Sequence, residues 1–173
     1  LMSPPASVQP PASNRRADLV RVAARLFRDQ GYERTTVRDI GRAVGLQSGS
    51  LFYHFRTKEE ILVAVMALGI TATTERLAAA LAQAATPRDK VATLIRVHLN
   101  SLLGENQAAL EVMLYEWRSV SEAQRPGLIV LRDRYEALWQ AVLDEAAAAG
   151  LVKPETRLLR RMLLGSLHWS VQW

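Results

Sequence analysis

The sequence predicts an all-α protein, and three observations support this. Apolar residues recur at helical spacing in successive segments, and no stretch alternates apolar and polar residues as a half-buried strand would. Ser, Thr, Gly and Pro stand where helices would begin and end. Of the 173 residues, 49% are hydrophobic, which is enough for a substantial core.

The first helix is predicted to follow a disordered arm. Residues 1–14 contain four of the seven prolines, with Ser, Ala and Gln between them, and this composition cannot form a core. After Arg15 and Arg16 a helix is expected to run to about Gln30, where Gly31 ends it. Its apolar stripe consists of Leu19, Val22, Ala23, Leu26 and Phe27.

Residues 35–60 predict two short helices joined by a tight turn. Thr36 is the expected N-cap of the first, with Asp39 at the capping-box position, and Gly45 ends it. Gly45, Leu46 and Gln47 form the turn, and Ser48 caps the second helix. This helix is expected to direct Leu51, Phe52 and Phe55 inward, and Gln47, Ser48, Ser50, Tyr53 and His54 outward.

Charge distinguishes this helix-turn-helix from an ordinary helical hairpin. Residues 1–56 hold nine arginines and four acids, whereas residues 57–173 hold thirteen basic and thirteen acidic residues. The whole formal charge of +5 therefore belongs to the segment that contains the motif. A localised basic excess is typical of phosphate binding, so the segment is predicted to bind double-stranded DNA.

The segment from about Arg16 to Leu62 resembles the DNA-binding domain of the tetracycline-repressor (TetR) family. The sequence departs from the family at Phe52, where a tyrosine usually contacts phosphate, and the neighbouring Tyr53 offers a replacement hydroxyl. The matching residues are Phe27, Gly31, Tyr32, Thr35, Thr36, Ile40, Gly45, Gly49, Leu51, His54, Phe55, Lys58 and Glu59.

The predicted DNA contacts fall into two groups. Gln47, Ser48 and Ser50 begin the second helix and are expected to read bases, because the N-terminal residues of a recognition helix point into the groove. Lys58 stands in the first turn of the next helix, where free N–H groups also favour an anion. The predicted site consists of Thr36, Arg38, Gln47, Ser48, Gly49, Ser50, Tyr53, His54 and Lys58, with Thr36, Tyr53, His54 and Lys58 acting mainly on phosphate.

The chain beyond the motif predicts further helices. Thr57 and Glu60 form a second capping box before a long helix that starts at Lys58 and could transmit motion between the two parts. Thr86, Pro87 and Asp89 open another helix, which runs to about Gly104. The remaining helices are expected at about Gln107–Val120, Gly127–Ala149 and Glu155 to the end.

The helices after residue 57 favour a pocket for a mostly apolar ligand, and a packed core without a pocket is the alternative. All four tryptophans lie here, and His98 and His168 are interpreted as satisfied bundle residues. Arginines near an anionic end would be Arg118, Arg132, Arg134, Arg160 and Arg161. The predicted ligand-binding residues are Leu99, Leu102, Leu103, Met113, Trp117, Tyr135, Leu138, Trp139 and Trp169.

The family resemblance implies that this second part binds an effector and forms a homodimer. Three segments (115–117, 132–135 and 165–169) more weakly resemble relatives that respond to acyl-CoA thioesters, with a drug or a free fatty acid as alternatives. The predicted dimer surface uses the last two helices, with Leu128, Leu131, Leu138 and Val142 in one and Leu159, Met162, Leu163, Gly165 and Ser166 in the other.

Several classes of protein are not supported. There is no Cys, no apolar run long enough to predict a membrane span, and no leader, so a cytoplasmic protein is expected. Phosphate-loop, dinucleotide and His-Glu-x-x-His motifs are also missing, so no enzyme, cofactor or metal is predicted. The predicted division is a disordered arm at 1–14, a DNA-binding domain at 15–57 and a ligand-binding and dimerisation domain at 58–173.

These observations predict a transcriptional regulator, most simply a repressor that a small apolar ligand releases from a pseudo-palindromic operator. Two other classes remain open at this point. One is a dimeric helical binding or carrier protein that does not act on DNA. The other is an enzyme whose site is assembled from residues distant in sequence.

Overall fold

A computed structural model of the chain describes residues 12–45, 48–104 and 106–170. Within these residues there are eight α-helices, one short 3-10 helix and no strand, which confirms the all-α prediction. The helices are α1 (Ala12–Gln30), α2 (Val37–Ala43), α3 (Ser48–His54), α4 (Lys58–Leu81), α5 (Pro87–Leu103), α6 (Gln107–Tyr115), α7 (Arg125–Ala148) and α8 (Thr156–Trp169), with the 3-10 helix at Trp117–Ser119.

Two boundaries differ from those predicted. Helix α1 already begins at Ala12, inside the arm predicted over 1–14, while residues 1–11 lie outside the described residues. The single helix predicted over 107–120 divides after Tyr115. Glu116 accounts for the break, because its carboxylate accepts hydrogen bonds from the Ser119 hydroxyl at 2.8 Å and from the Tyr32 N–H at 3.4 Å.

The helix-turn-helix depends on local caps that the sequence predicts. The Thr36 hydroxyl accepts from the Asp39 N–H at 3.1 Å, and the Asp39 carboxylate accepts from the Thr36 N–H at 2.9 Å, which completes the capping box. Gly31 and Gly45 have φ of 86° and 69°, a left-handed conformation that glycine adopts without strain. The predicted turn residues Leu46 and Gln47 lie outside the described residues.

The cap of α4 forms differently from the predicted box. The Thr57 hydroxyl accepts from the Glu60 N–H at 3.1 Å, as expected. The Glu60 carboxylate, however, accepts from the N–H of Arg56 rather than that of Thr57, at 2.8 Å. Both contacts still satisfy N–H groups at the end of α3 and the start of α4, so they fix the short connection between the two helices.

Helix α4 is the centre of the fold. It packs on α1, α5, α6 and α7. Its length and apolar composition alone would suffice for a membrane span, but much of it is buried in this bundle. One hydrophobic cluster extends from Leu19 of α1 to Leu164 of α8 and includes residues from both sides of residue 57. The boundary predicted there between a DNA-binding and a ligand-binding domain stays a prediction.

Helices α4 and α6 approach each other closely at Gly69. A Cβ atom on Gly69 would lie 3.1 Å from the Ala109 Cβ and 3.2 Å from the Ala109 carbonyl carbon. Gly69 and Ala109 are both buried, so a methyl group added at Gly69 would press on α6 and could not point into solvent. Glycine at this position therefore sets the distance between the two helices.

We expect Gly69→Ala to lower the free energy of unfolding by about 1 kcal/mol. Alanine favours a helix by about 0.8–1.0 kcal/mol over glycine, but overpacking costs about 1–3 kcal/mol. Gly127→Ala in α7 is the matched control, because an added Cβ there meets nothing within 4 Å. Urea denaturation of the two variants should show a lower midpoint for Gly69→Ala only, and equal stabilisation by both changes would contradict the close packing.

Candidate functional site

Helix α3 presents one buried and one exposed face. Leu51 and Phe55 are 0% and 2% exposed and attach the helix to the core. Phe52 and Tyr53 are 51% and 85% exposed, and Ser50 is exposed as well. The inward orientation predicted for Phe52 is therefore wrong. Positions 51 and 55 lie on one helical face, while position 52 is rotated by about 100° from it.

The described members of the predicted DNA site lie on or next to α2, α3 and the start of α4. Arg38, Ser50 and Tyr53 are exposed, and the ring of half-buried His54 lies edge-on to that of Tyr53, with centroids 5.3 Å apart. The Thr36 hydroxyl is exposed but already donates to Asp39 at 2.6 Å. Gln47 is outside the described residues, and Ser48 and Gly49 are described only as part of helix α3.

Arginine side chains surround this face. Arg38, Arg42 and Arg56 are exposed, and no carboxylate of the described residues forms an ion pair with them. The guanidinium of Arg16 covers the Phe55 ring, 4.5 Å from its centroid, and so adds charge beside the end of α3. This side of the chain is consequently electropositive and rich in hydrogen-bonding groups.

Lys58 has an internal role that its sequence position does not reveal. Its ammonium donates to the carbonyl oxygens of Tyr32 and Glu33, at 2.9 and 3.4 Å, and lies 4.2 Å from the centroid of the Tyr32 ring. Cation–π contacts of this kind contribute about 0.5–2 kcal/mol. Lys58 thus attaches the start of α4 to the segment between α1 and α2.

A partly enclosed apolar pocket of about 80 Å³ lies among the helices of the second part. Apolar cavities of about 150 Å³ hold a benzene molecule, so this pocket accepts a smaller group as it stands. Its lining combines aliphatic side chains with a small polar group of residues: Ile70, Thr73, His98, Leu102, Leu110, Met113, Arg132, Tyr135, Glu136, Leu164 and His168.

Of the predicted ligand-binding residues, Leu102, Met113 and Tyr135 line this pocket. The structure places the other six elsewhere. Trp139 is fully buried in the core, while Leu103 and Trp169 are exposed. Leu99 and Leu138 are half-buried and do not line the pocket. Trp117 does not line it either, and the centroid of its ring lies 5.9 Å from the guanidinium carbon of Arg132. Choosing large apolar side chains from the sequence identified helices that line the pocket, but it did not identify which face of each helix points toward the pocket.

His98 and His168 line the pocket, and sequence reasoning did not assign them to it. His98 Nδ1 lies 2.6 Å from the Tyr135 hydroxyl, and the ring centroids of the two histidines are 5.0 Å apart. The interpretation of His98 as fully satisfied is wrong, because its buried Nε2 has no hydrogen-bond partner among the described residues. A buried polar group left in this way costs about 1–3 kcal/mol.

Burial controls the protonation of this cluster. It lowers the pKa of His98 to about 3, with a further lowering from nearby His168, and it also lowers the pKa of His168. The same burial raises the pKa of the Tyr135 hydroxyl well above its usual range. Both imidazoles and the phenol are therefore neutral near pH 7.

Arg132 and Glu136 form the charged edge of the pocket. Arg132 Nε lies 3.5 Å from one Glu136 carboxylate oxygen, and Arg160 Nη2 lies 3.1 Å from the other. Arg160 also donates to Gln140 at 3.0 Å, which joins α7 to α8. Arg132 and Arg160 are thus partly neutralised, and the strongly basic mouth that the sequence suggested is not formed by these two residues.

Short contacts connect the pocket side of the molecule to the helix-turn-helix. Trp117, which faces Arg132, follows Glu116, and Glu116 accepts from the Tyr32 N–H. The Glu59 carboxylate in the first turn of α4 accepts from the Ser121 N–H at 2.6 Å, and this contact lowers the pKa of Glu59. The segment between α6 and α7 therefore contacts both the α1–α2 connection and the first turn of α4.

Helix α8 exposes an apolar stripe in the single chain. Leu158, Met162 and Trp169 are about equally exposed at 60%, 60% and 61%, and Gly165 lies between them at helical spacing. Val130 of α7 is also exposed. Several residues predicted for the dimer surface lie inward instead, because Leu128 and Val142 are buried and Leu131, Leu138, Leu159 and Leu163 pack against the core.

The fold and its two sites define a helix-turn-helix protein whose second, helical part contains a pocket. Residues 19–65 match the family model of bacterial regulatory proteins of the tetR family. Residues 84–173, about half of the chain, match the tetracyclin repressor-like C-terminal domain. The chain therefore belongs to the TetR family, as the sequence motif indicated.

The chain is also similar to individual relatives and solved structures over most of its length. The transcriptional repressor KstR2 of Mycolicibacterium smegmatis is 29% identical over 99% of this chain and 84% of its own length. The crystal structure of the superantigen PfiT is 46% identical, with a TM-score of 0.84 over 95% of this chain and 87% of that one. AibR, solved with isovaleryl coenzyme A and operator DNA, has a TM-score of 0.83 over 92% and 86%, but its 23% identity shows a common fold only.

The lowered pKa of His98 predicts a pH-dependent stability. The pKa of His98 is near 6.5 in the unfolded chain and about 3 in the folded one. Between pH 6.5 and pH 3 the unfolded state therefore binds more protons than the folded state, and the free energy of unfolding decreases as the pH falls. From pH 7 to pH 5 the loss should be about 2 kcal/mol. Urea denaturation at both values should show a weaker pH dependence for His98→Gln, and an unchanged dependence would contradict a neutral, buried His98.

Proposed function

We propose that the protein is a DNA-binding transcriptional repressor that a small, mostly apolar effector releases from a pseudo-palindromic operator. The observation that carries this proposal is the exposed polar face of α3 together with the exposed Arg38, Arg42 and Arg56, none of which forms an ion pair with a carboxylate of the described residues. Family membership favours a regulator over an enzyme. A repressor works where its operator is, so we place it in the cytoplasm.

Similarity alone does not choose the function, because one similar structure is that of a superantigen. The support for DNA binding has to come from the residues of this chain around α2 and α3. Three features provide this support. The formal charge excess lies within residues 1–56, the side chains around α2 and α3 are exposed, and the caps at Thr36 and Thr57 hold α2 and α4 in fixed positions beside α3. A carrier protein that does not act on DNA would have no use for this combination.

We assign base reading to the start of α3 and phosphate binding to the residues around it. Gln47, Ser48 and Ser50 would read bases, with Gly49 allowing close approach, while Thr36, Arg38, Tyr53 and His54 would contact phosphates. Phe52 cannot donate a hydrogen bond, and the exposed Tyr53 hydroxyl beside it can. Changes at Gln47 or Ser50 would therefore alter sequence preference, whereas changes at Arg38 would weaken all sequences alike.

Lys58 was predicted to bind phosphate, and its internal contacts support a different main role. Two of its three N–H groups are directed at the carbonyl oxygens of Tyr32 and Glu33, which leaves one for DNA. We therefore propose that Lys58 chiefly positions the start of α4 and contributes less to phosphate binding than Arg38.

Comparison of Lys58→Ala with Arg38→Ala tests these roles. Arg38→Ala should reduce the slope of log affinity against log salt by about one unit without changing the melting temperature. Lys58→Ala should lower the melting temperature and reduce the slope by less. Operator titrations at several salt concentrations, together with thermal melts, measure both quantities. A full unit of slope lost in Lys58→Ala with unchanged stability would contradict the positioning role.

A homodimer is proposed because one recognition helix covers too few base pairs for a specific site. Two-fold dimers bind half-sites about 34 Å apart or at multiples of this distance. The exposed stripe of Leu158, Met162, Gly165 and Trp169 supports an interface on α8, with α7 contributing exposed residues such as Val130. An apolar stripe of this kind is otherwise unfavourable in water.

We expect Met162→Glu to dissociate the dimer, because the change introduces a charge into the centre of the apolar stripe. Analytical ultracentrifugation at micromolar concentration should give the mass of a monomer for Met162→Glu and that of a dimer for the wild type. Leu103→Glu is the matched control, because Leu103 is 64% exposed but lies at the end of α5, outside the stripe. A dimeric Met162→Glu variant would place the interface elsewhere.

The effector is proposed to be small and mostly apolar, possible members of this class being an acyl-CoA, a drug or a free fatty acid. The aliphatic lining of the pocket supports an apolar group, and its volume of about 80 Å³ limits this group to a short chain unless the pocket widens. Arg132 at the edge could meet an anionic head that remains outside, although Glu136 competes for it.

Release requires that the effector bind a conformation with a different spacing of the two recognition helices. A ligand with equal affinity for both states would shift nothing. Helix α4 supports such coupling, because Ile70 and Thr73 line the pocket while Lys58 and Glu59 hold the connections around α2 and α3.

A mobility-shift assay with DNA from upstream of the protein's own gene tests the proposal. Specific retardation that resists competitor DNA is expected, and acyl-CoAs, free acids or hydrophobic cations should then be compared for release. Absence of specific retardation with a correctly folded dimer would favour the alternative, a helical small-molecule binding protein that does not act on DNA.

A further inference from the structure

We infer that the pocket recognises a single carbonyl oxygen on a short apolar acyl group, through the Nε2–H of His98. This inference rests on the proposed effector pocket and specifies the chemistry of its ligand. The two possible sources of such a carbonyl are an acyl-CoA and a small neutral thioester or ketone without a nucleotide.

The unpartnered nitrogen is the starting observation. His98 is 4% exposed and lines the pocket, and its Nε2 has no partner among the described residues. The ring is held by close neighbours, since Nδ1 lies 2.6 Å from the Tyr135 hydroxyl and the Trp139 ring is edge-on at 5.6 Å between centroids. A held ring that lines a cavity and carries one unused polar atom is a preorganised recognition element.

The hydrogen bond to Tyr135 determines which proton His98 carries. A phenol O–H is more acidic than an imidazole N–H, and an imidazole nitrogen is more basic than a phenol oxygen. The Tyr135 hydroxyl therefore donates to Nδ1, and the proton of the neutral ring stays on Nε2. Nε2 is consequently a donor, and its natural partner is an acceptor such as a carbonyl oxygen.

The surroundings favour a neutral acceptor over a carboxylate. Ile70, Leu102, Leu110 and Leu164 are the aliphatic part of the lining, so a carboxylate here would lose its hydration. Burial lowers the pKa of both His98 and His168, the titratable side chain that faces it, so neither ring offers positive charge near pH 7. Arg132 is at the edge and paired with Glu136.

Two matched pairs of ligands test the inference. Propionyl-CoA is compared with S-propyl-CoA, in which a CH₂ replaces the carbonyl, and S-methyl propanethioate is compared with methyl propyl sulfide, which repeats the change without the nucleotide. Isothermal titration with the wild-type protein should show carbonyl ligands binding at least about tenfold more tightly than their partners, because the thioether leaves Nε2–H unpaired. Propionate at pH 7 should bind more weakly than either carbonyl ligand.

Variants assign the effect to His98. His98→Phe should remove most of the preference for the carbonyl ligand, whereas His98→Gln, which keeps an N–H donor, should retain part of it. Leu110→Met, another change in the lining, should retain the full preference.

Equal binding of the two members of each pair by the wild-type protein, or binding of neither carbonyl ligand, would overturn the inference even if His98→Phe fails to fold. Preference in the CoA pair alone would identify an acyl-CoA as the source, and preference in both pairs would show that the carbonyl suffices. Operator binding measured without ligand reports separately on the proposed repressor function.

Discussion

The packing of helix α4 against four other helices is the constraint on which the rest of the structure depends. It packs on α1, α5, α6 and α7, and one hydrophobic cluster joins the helix-turn-helix to the helices around the pocket. Packed cores do not deform continuously, and a displacement of one end of a rigid helix is therefore carried to the other. The contact of Gly69 with Ala109 sets how closely α4 and α6 can approach.

The start of α4 shows how such a displacement could reach DNA. Lys58 is bonded to the segment before α2, and Glu59 is bonded to Ser121 in the segment before α7. Two neighbouring residues of one helix turn thus connect the helix-turn-helix to the helices around the pocket. Glu116 strengthens the same connection, because its carboxylate accepts a hydrogen bond from the N–H of Tyr32.

Patterns local in sequence predicted the fold well, because helix caps and stripes are set by residues three or four positions apart. The cap at Thr36 and the Thr86–Pro87 start of α5 formed as expected. The pocket was harder to predict, since its lining comes from α4, α5, α6, α7 and α8 and depends on which faces meet. Trp139 and Trp169 illustrate this, one being buried in the core and the other exposed, although both are large and apolar. The place of His98 in the pocket was not predicted because Tyr135 and His168, which it meets there, are distant in sequence.

We propose that occupation of the pocket changes the spacing of the two recognition helices of a homodimer through α4. Because the sequence contains no cysteine, Ala43→Cys introduces a unique label on an exposed residue at the end of α2, which packs on α3. Pulsed electron–electron double resonance between the two labels of the dimer then measures the spacing directly. One distance distribution is expected with operator DNA and a displaced one after saturation with the carbonyl ligand that binds most tightly. Identical distributions, with binding of the ligand verified by titration on the same labelled sample, would contradict this proposal.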